Sequence, residues 1–202
     1  MRSLRGRDLL VATGNRGKMA EFSAILGPHG VRLLSLAEFG LGEPDETASD
    51  FVGNARIKAR SAFNGSGLPS LADDSGIIVE GLGGCPGIFT ADWAECSTGR
   101  DFGVAMRKTW DVLDSMGRRF PRRATFRATL VLAWPEGGED VFVGEAPGEI
   151  VWPMRGESGH GYDPIFLPDG HDQTFGEMDD KMKNLVSHRA VALQKLVAAC
   201  FT

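Results

Sequence analysis

Leu9-Leu10-Val11-Ala12-Thr13-Gly14-Asn15-Arg16-Gly17-Lys18-Met19 runs from an apolar tetrad through a polar turn into a helical pattern. Four apolar residues bounded by turn formers read as a buried strand over Leu9 to Ala12, and Thr13 to Gly17 reads as a tight turn. Met19, Phe22, Ile25 and Leu26 then share one face of an amphipathic helix. A strand feeding a helix through a short polar loop is a unit of α/β architecture. The same junction aims backbone N–H groups and the positive end of a helix dipole at one point, which favours an anion. It is not a Walker A loop, because only Asn15 and Arg16 separate the two glycines and Met19 follows Lys18. A plain glycine turn fits the same residues.

Outward from this unit the periodicities alternate. Val31 to Leu34 reads as a short strand, and Ser49 to Phe63 as a helix with Phe51, Ala55, Ala59 and Ala62 on one face; Gly40 to Thr47 between them is an acidic loop. Leu68 to Ala72 and Ile77 to Val79 flank Asp73-Asp74-Ser75-Gly76, which reads as a polar turn at a strand end. Gly81 to Gly87 is a glycine-rich loop, and Phe102 to Met116 returns to helical spacing through Met106, Trp110 and Leu113. Thr125 to Trp134 alternates with Phe126, Ala128, Leu130, Leu132 and Trp134 on one face, and Glu136-Gly137-Gly138-Glu139 turns it back into Val141 to Val143. Ser187 is placed to cap a last helix over Ala190 to Ala199. Hairpins mixed with helical units imply an α/β domain with a mixed sheet.

At 202 residues the chain is long enough to bury a substantial core as one domain, residues 1–202, with no linker or repeat dividing it. A formal charge of −5 argues against a nucleic-acid surface but leaves room for a local basic pocket. Three cysteines without CxxC spacing suggest neither a disulfide framework nor a cysteine zinc site, which fits a reducing cytoplasm. The apolar run after the basic N-terminus is too short for a signal peptide or a membrane span.

Polar chemistry concentrates in further clusters. Asp73-Asp74 offers hard oxygen ligands, and Asp45-Glu46-Thr47 is able to bring in another carboxylate, a pattern that suits Mg²⁺ completed by water and substrate phosphates. A solvated Asp-Asp-Ser-Gly turn with Glu46 in water accounts for the same residues. Gly161-Tyr162-Asp163-Pro164 is followed by Lys183-Asn184 and Ser187-His188-Arg189, placing a turn, cations, a carboxylate and a histidine where a packed core needs none.

In order and spacing these segments resemble the inosine triphosphate/xanthosine triphosphate pyrophosphatase family. The resemblance runs through Thr13-Gly14-Asn15 to Lys18, Glu46-Thr47 to Asn54-Ala55 and Lys58-Ala59, Ala72 to Gly76, and Gly83-Gly84 to Pro86-Gly87. It continues in Gly161 to Phe166, Thr174-Phe175 to Glu177-Met178, and Lys183-Asn184 to Ser187-His188-Arg189. It implies an elongated single domain with a long mixed sheet and two lobes flanking a nucleotide cleft, and a cytoplasmic homodimer. The activity implied is Mg²⁺-dependent hydrolysis of noncanonical purine nucleoside triphosphates (dITP, ITP, XTP) to monophosphate and pyrophosphate. By the same resemblance Thr13, Gly14, Asn15, Arg16, Gly17 and Lys18 would hold the triphosphate, and Lys183 would neutralise phosphate oxygens. Asp74 would be the general base and, with Glu46, a metal ligand. Ser75 would touch substrate, while His160, Gly161, Tyr162, Asp163, His188 and Arg189 would frame the base. Donors from His188 or Arg189 would be satisfied by a 6-keto group and left unpaired against a 6-amino group, a difference on the order of 1–3 kcal/mol per buried donor. A pyrophosphatase for modified pyrimidine or standard nucleotides, as in the related septum-formation inhibitor proteins, is the rival enzyme reading, and the Ser-His-Arg segment argues against it. A nucleotide-binding regulatory module without catalysis is disfavoured by Asp73-Asp74, since negative charge hinders pure anion binding.

The chain departs from the family pattern at three places. Gly53 stands where many members carry Glu, Asp92-Trp93 replaces an Arg-aromatic pair, and His160 stands where the family has a Phe expected to stack on the base. Protonation of His160 would convert a neutral ring face into a cationic one. KM for ITP should therefore vary across roughly pH 5.5–7.5 in the native sequence, and His160→Phe should remove that component. Identical KM profiles for the two proteins would show that another residue forms the base platform.

Overall fold

The structure, a computed structural model, describes residues 2–97, 99–117 and 122–201. β1 (Asp8–Val11) leads into α1 (Arg16–Leu26), followed by β2 (Arg32–Ser35), α2 (Phe51–Ser66) and β3 (Ser70–Val79). A small ribbon of β4 (Glu95–Cys96) and β5 (Gly99–Arg100) precedes α3 (Phe102–Ser115). β6 (Arg123–Ala133), β7 (Glu139–Ile150), β8 (Phe166–Pro168), α4 (Asp180–Val186) and α5 (His188–Cys200) follow. The main sheet has six strands in the order β2-β1-β3-β6-β7-β8. β1 runs parallel to β2 and β3, whereas β7 and β8 are antiparallel, so the expected α/β class with a mixed sheet is what the chain adopts. No helix among the described residues is long and apolar enough to cross a membrane.

Two compact units share this sheet's strands. The first comprises Met1–Asp74, Ala128–Gly144 and Arg189–Thr202. Alternation along its strands feeds two cores. Leu9, Val11, Leu71, Leu130 and Leu132 pack with Phe22 and Leu26 of α1 and Leu193 and Leu196 of α5. Leu10, Ala72, Val131 and Ala133 pack with Ala55, Ala59 and Ala62 of α2. Helices thus cover both faces of these strands, and the small side chains of α2 let its backbone approach closely.

The second unit comprises Ser75–Arg127 and Glu145–His188. Its core joins Ile77, Val79, Phe126, Ile150, Phe166 and Phe175 with Ala105, Met106 and Leu113 of α3. Along α3 the indole rings of Trp110 and Trp152 stack at 5.7 Å, with Arg122 over the former at 3.9 Å and Arg107 over the latter at 4.8 Å. Each guanidinium lies on the electron-rich face of its ring.

The structure corrects several sequence expectations. Asp73-Asp74-Ser75-Gly76 is not a turn at a strand end but the middle of the ten-residue β3. Helices cover β3 on both faces in the first unit, so it lacks the alternation that marks a half-exposed strand, and its carboxylates imitated a break. α1 begins at Arg16 rather than Met19, because the Asn15 side chain accepts hydrogen bonds from Gly17 N and Lys18 N and so caps the helix. β7 spans twelve residues rather than three. α5 starts at His188 rather than Ala190, so Ser187, which closes the unanticipated α4, directly precedes it.

The loop that carries His160 is stitched down by backbone bonds from Arg155 N to Pro164 O and from Ser158 N to Gly176 O. Gly156 has a φ of 82°, and a Cβ there would fall 2.0 Å from the Gly176 carbonyl oxygen. Left-handed strain and a backbone collision therefore act together, and neither is relieved by a rotamer change. Gly156→Ala should lose more than about 2 kcal/mol in urea unfolding. A loss below about 0.5 kcal/mol, the scale of a neutral surface change, would mean that the loop is not held this tightly.

Candidate active site

β3 delivers the two adjacent carboxylates to different surroundings. Successive strand residues point to opposite faces, so Asp73 shares the side of Leu71, toward α1 and α5, and Asp74 shares the side of Ala72, toward α2. The side chain of Asp73 is completely buried, and its Oδ2 receives Lys18 Nζ at 2.9 Å, Arg189 Nη2 at 3.0 Å and Arg189 Nε at 3.1 Å. Burial by itself would raise the Asp73 pKa, but the charges of Arg189 and Lys18 more than reverse this and hold it far below the usual carboxylate range. Arg189, 2% exposed, also donates Nη1 to Glu21 Oε2 at 2.5 Å. Burial opposes its charge, yet Asp73 and Glu21 raise its pKa above the ordinary guanidinium value.

Asp74 sees a different balance. Its Oδ1 lies 3.4 Å from Lys58 Nζ, which in turn donates to Glu46 Oε1 at 2.7 Å, while Asp74 Oδ2 is buried without a hydrogen-bond partner. Burial pushes the Asp74 pKa up to about 6; Lys58 opposes the rise, and Glu46 and Asp73 add to it. The Lys58 ammonium is disfavoured by burial, but Asp74 and Glu46 raise its pKa above the usual lysine value. The expectation that the acidic loop brings Glu46 toward Asp74 is met through this shared ammonium. Asn54 of α2 ties the loop in place by accepting from Ala48 N at 2.9 Å. Gly53 fits because a Cβ there would lie 2.4 Å from the Ala48 Cβ, so the glutamate common in the family would require that loop to move.

Four backbone donors of the Thr13 to Lys18 turn are engaged within the protein. Thr13 Oγ1 accepts from Asn15 N, the Asn15 side chain holds Gly17 N and Lys18 N, and the Glu43 carboxylate sits on Gly14 N. Arg16 is exposed. Lys18, expected to meet phosphate, is 18% exposed in its side chain and anchored on Asp73.

In the second unit Asp163 Oδ2 accepts from His160 N at 2.7 Å and from the buried Lys183 Nζ at 2.6 Å. Gly159 is confined beside them, since a Cβ there would meet Asp163 Oδ2 at 2.1 Å. Gly161 takes a φ of 72°. Tyr162, expected at the base, places its ring in the core edge-on to Phe102, where burial pushes its phenol pKa up to about 12. His188 stacks on Phe126 at 4.7 Å and 9°. Arg189, expected beside His188 at the base, instead directs its guanidinium to Asp73 and Glu21. Ser75 is half-buried on β3.

Lys58, which joins Asp74 to Glu46, and Glu21, which pairs with Arg189, are not among the residues expected from the sequence. The signal for Lys58 was present: it falls on the same helical face as Phe51, Ala55, Ala59 and Ala62, where an unpaired ammonium would be costly. Glu21, one turn after Lys18, reads from sequence as an ordinary surface residue. Among the described residues no group of three or more His, Cys, Asp or Glu side chains is arranged to hold a metal ion. Asp74 and Glu46 offer two carboxylates, the number from which Mg²⁺ completes its shell with water and phosphate oxygens. The partnerless Asp74 Oδ2 is a hard donor suited to that role.

Comparison with known proteins adds independent findings. A family model described as the Ham1 family matches residues 9–199. A dITP/XTP pyrophosphatase of Ruegeria pomeroyi is 54% identical over 200 residues, covering 99% of this chain and 98% of that protein. One from Agrobacterium fabrum is 47% identical over 211 residues, covering 99% of each. Among solved structures, a HAM1 protein from Coxiella burnetii superposes with a TM-score of 0.87 at 34% identity, over 95% of this chain and 97% of that one.

The contrast between the two aspartates has a direct test. In metal-free protein the Asp74 carboxyl carbon should titrate near pH 6 by NMR, and Lys58→Met should move that midpoint higher because a charge favouring the carboxylate is gone. Asp73 should stay ionised throughout. Its folded pKa is depressed, so its contribution to stability is present above the unfolded value of about 3.9 and is lost only as the pH falls toward the folded value. An Asp74 midpoint near that ordinary value in both proteins would overturn this assignment.

Proposed function

The chain belongs to the Ham1 family, and from that membership and the charge clusters on β3 we propose that it hydrolyses noncanonical purine nucleoside triphosphates (dITP, ITP and XTP) to the monophosphate and pyrophosphate. The observation that carries the reading is the buried, partnerless Oδ2 of Asp74, whose own pKa is raised to about 6. Such a group is poised to accept a proton near neutral pH. Asp74 takes the proton of the attacking water as the new oxygen–α-phosphorus bond forms and the bridge to the β-phosphorus breaks. Lys58 holds Glu46 and Asp74 together and limits the repulsion between them. Lys18 meets the triphosphate with the N–H groups not spent on Asp73, and Thr13 to Gly17 bring the positive end of α1 to the same charge.

Asp74 and Glu46 would hold Mg²⁺, which when bound polarises the phosphate under attack. His160 and Gly161, whose loop the Asp163–Lys183 pair holds, and His188 are assigned to the base. Ser75 is assigned a substrate contact. A cytoplasmic homodimer belongs to the same reading, supported by the family resemblance.

Pyrophosphate release from a panel of nucleoside triphosphates, with and without Mg²⁺, tests the proposal. ITP, dITP and XTP should be turned over well ahead of ATP, and only with the metal. Hydrolysis in ¹⁸O-water should label the monophosphate; label in orthophosphate would indicate a γ-phosphatase. Asp74→Asn should remain folded yet lose more than about tenfold in kcat, the equivalent of about 1.4 kcal/mol in barrier. A smaller loss would remove Asp74 from the role of base.

A further inference from the structure

Glu21 makes no contact that the proposed reaction uses, yet it closes an ordered row of charges within the first unit. Lys18, Asp73, Arg189 and Glu21 follow one another with alternating sign, linked at 2.9 Å, 3.0 Å and 2.5 Å. Two members, Lys18 and Glu21, come from adjacent turns of α1. Asp73 and Arg189 are buried, the Glu21 side chain is 14% exposed and that of Lys18 is 18% exposed, so both ends of the row approach the surface. Lys18 and Arg189 both reach the same oxygen of Asp73, Oδ2.

That convergence makes the two cations competitors. Arg189 needs more negative charge than a shared oxygen supplies, because a buried guanidinium is costly unless it is compensated on more than one side. Glu21 provides this from the side opposite Asp73. Without it, the fork of Arg189 would draw more strongly on Asp73 Oδ2, and Lys18 would lose part of the anchor that fixes its ammonium.

We propose that Glu21 is a positioning residue for the triphosphate: by compensating Arg189 it lets Asp73 Oδ2 hold Lys18 as well, where a phosphate oxygen meets it. The inference rests on the reading of Lys18 as a phosphate contact. It predicts that a neutral residue at Glu21, which touches no substrate, weakens binding of the phosphate end while leaving the chemical step largely intact.

The full chain is compared with Glu21→Gln, Glu21→Asp, Lys18→Met and the Glu21→Gln/Lys18→Met double variant, by ITP kinetics with Mg²⁺, calorimetric binding of pyrophosphate, and thermal melting. Glu21→Gln should raise KM for ITP and Kd for pyrophosphate by about tenfold with kcat within about threefold, and Glu21→Asp should recover most of the loss. In the Lys18→Met background the Glu21 substitution should have no further effect on either constant, because the group it positions is gone. A lowered melting temperature with KM and Kd unchanged would make Glu21 merely structural and overturn the inference. So would a full Glu21 effect that persists in the double variant. If Lys18→Met alone leaves KM and pyrophosphate affinity unchanged, the phosphate reading of Lys18 fails, and this inference with it. Should Glu21→Gln not fold, Glu21→Asp in the native and Lys18→Met backgrounds supplies the same comparison, with a smaller rise in KM expected and the same outcomes decisive.

Discussion

Three charged N–H contacts on one oxygen of Asp73 are the constraint around which the first unit is arranged. A carboxylate with no solvent exposure is tolerated in a strand only if cations come to it, and these come from α1 and α5. Removing both cations would leave a buried charge uncompensated, which is far more damaging than never having buried it. The ion contacts therefore fix how α1 and α5 lie against β3, in a way that the interchangeable apolar contacts of Leu71, Phe22 and Leu193 do not.

Strand alternation turns a repeated residue into two chemical species. Were Asp73 and Asp74 on the same face, they would share partners and titrate as a pair. On opposite faces, one receives a guanidinium and an ammonium at close range and stays ionised, while the other receives a more distant ammonium with Glu46 beside it and is raised to about 6. The environments, not the sequence dipeptide, keep one aspartate ionised among cations and raise the pKa of the other.

The second unit uses the same pairing of a buried carboxylate and a buried lysine for a different purpose. Asp163 accepts both the Lys183 ammonium and the His160 N–H, so the ion pair also sets the path of a loop rich in left-handed glycines. Gly159 and Gly156 are positions where a side chain would collide with that arrangement. The loop's shape thus depends on the absence of side chains at two points and on one buried charge pair.

The sequence by itself determined the α/β class, the first strand-loop-helix unit, the face of α2, the helix that opens at Phe102, and the segments in which polar chemistry collects. Each is carried by local periodicity or turn chemistry, which a single chain displays. Residues as ordinary in sequence as Glu21, and Asp73-Asp74 as a continuous strand, were not legible in the same way. Whether a carboxylate is a turn former, an anchor or a base depends on which cations reach it, and Arg189 reaches Asp73 from over a hundred positions away. Only the tertiary structure brings Arg189 to Asp73, puts Lys58 between Glu46 and Asp74, and so decides the charge that each group carries.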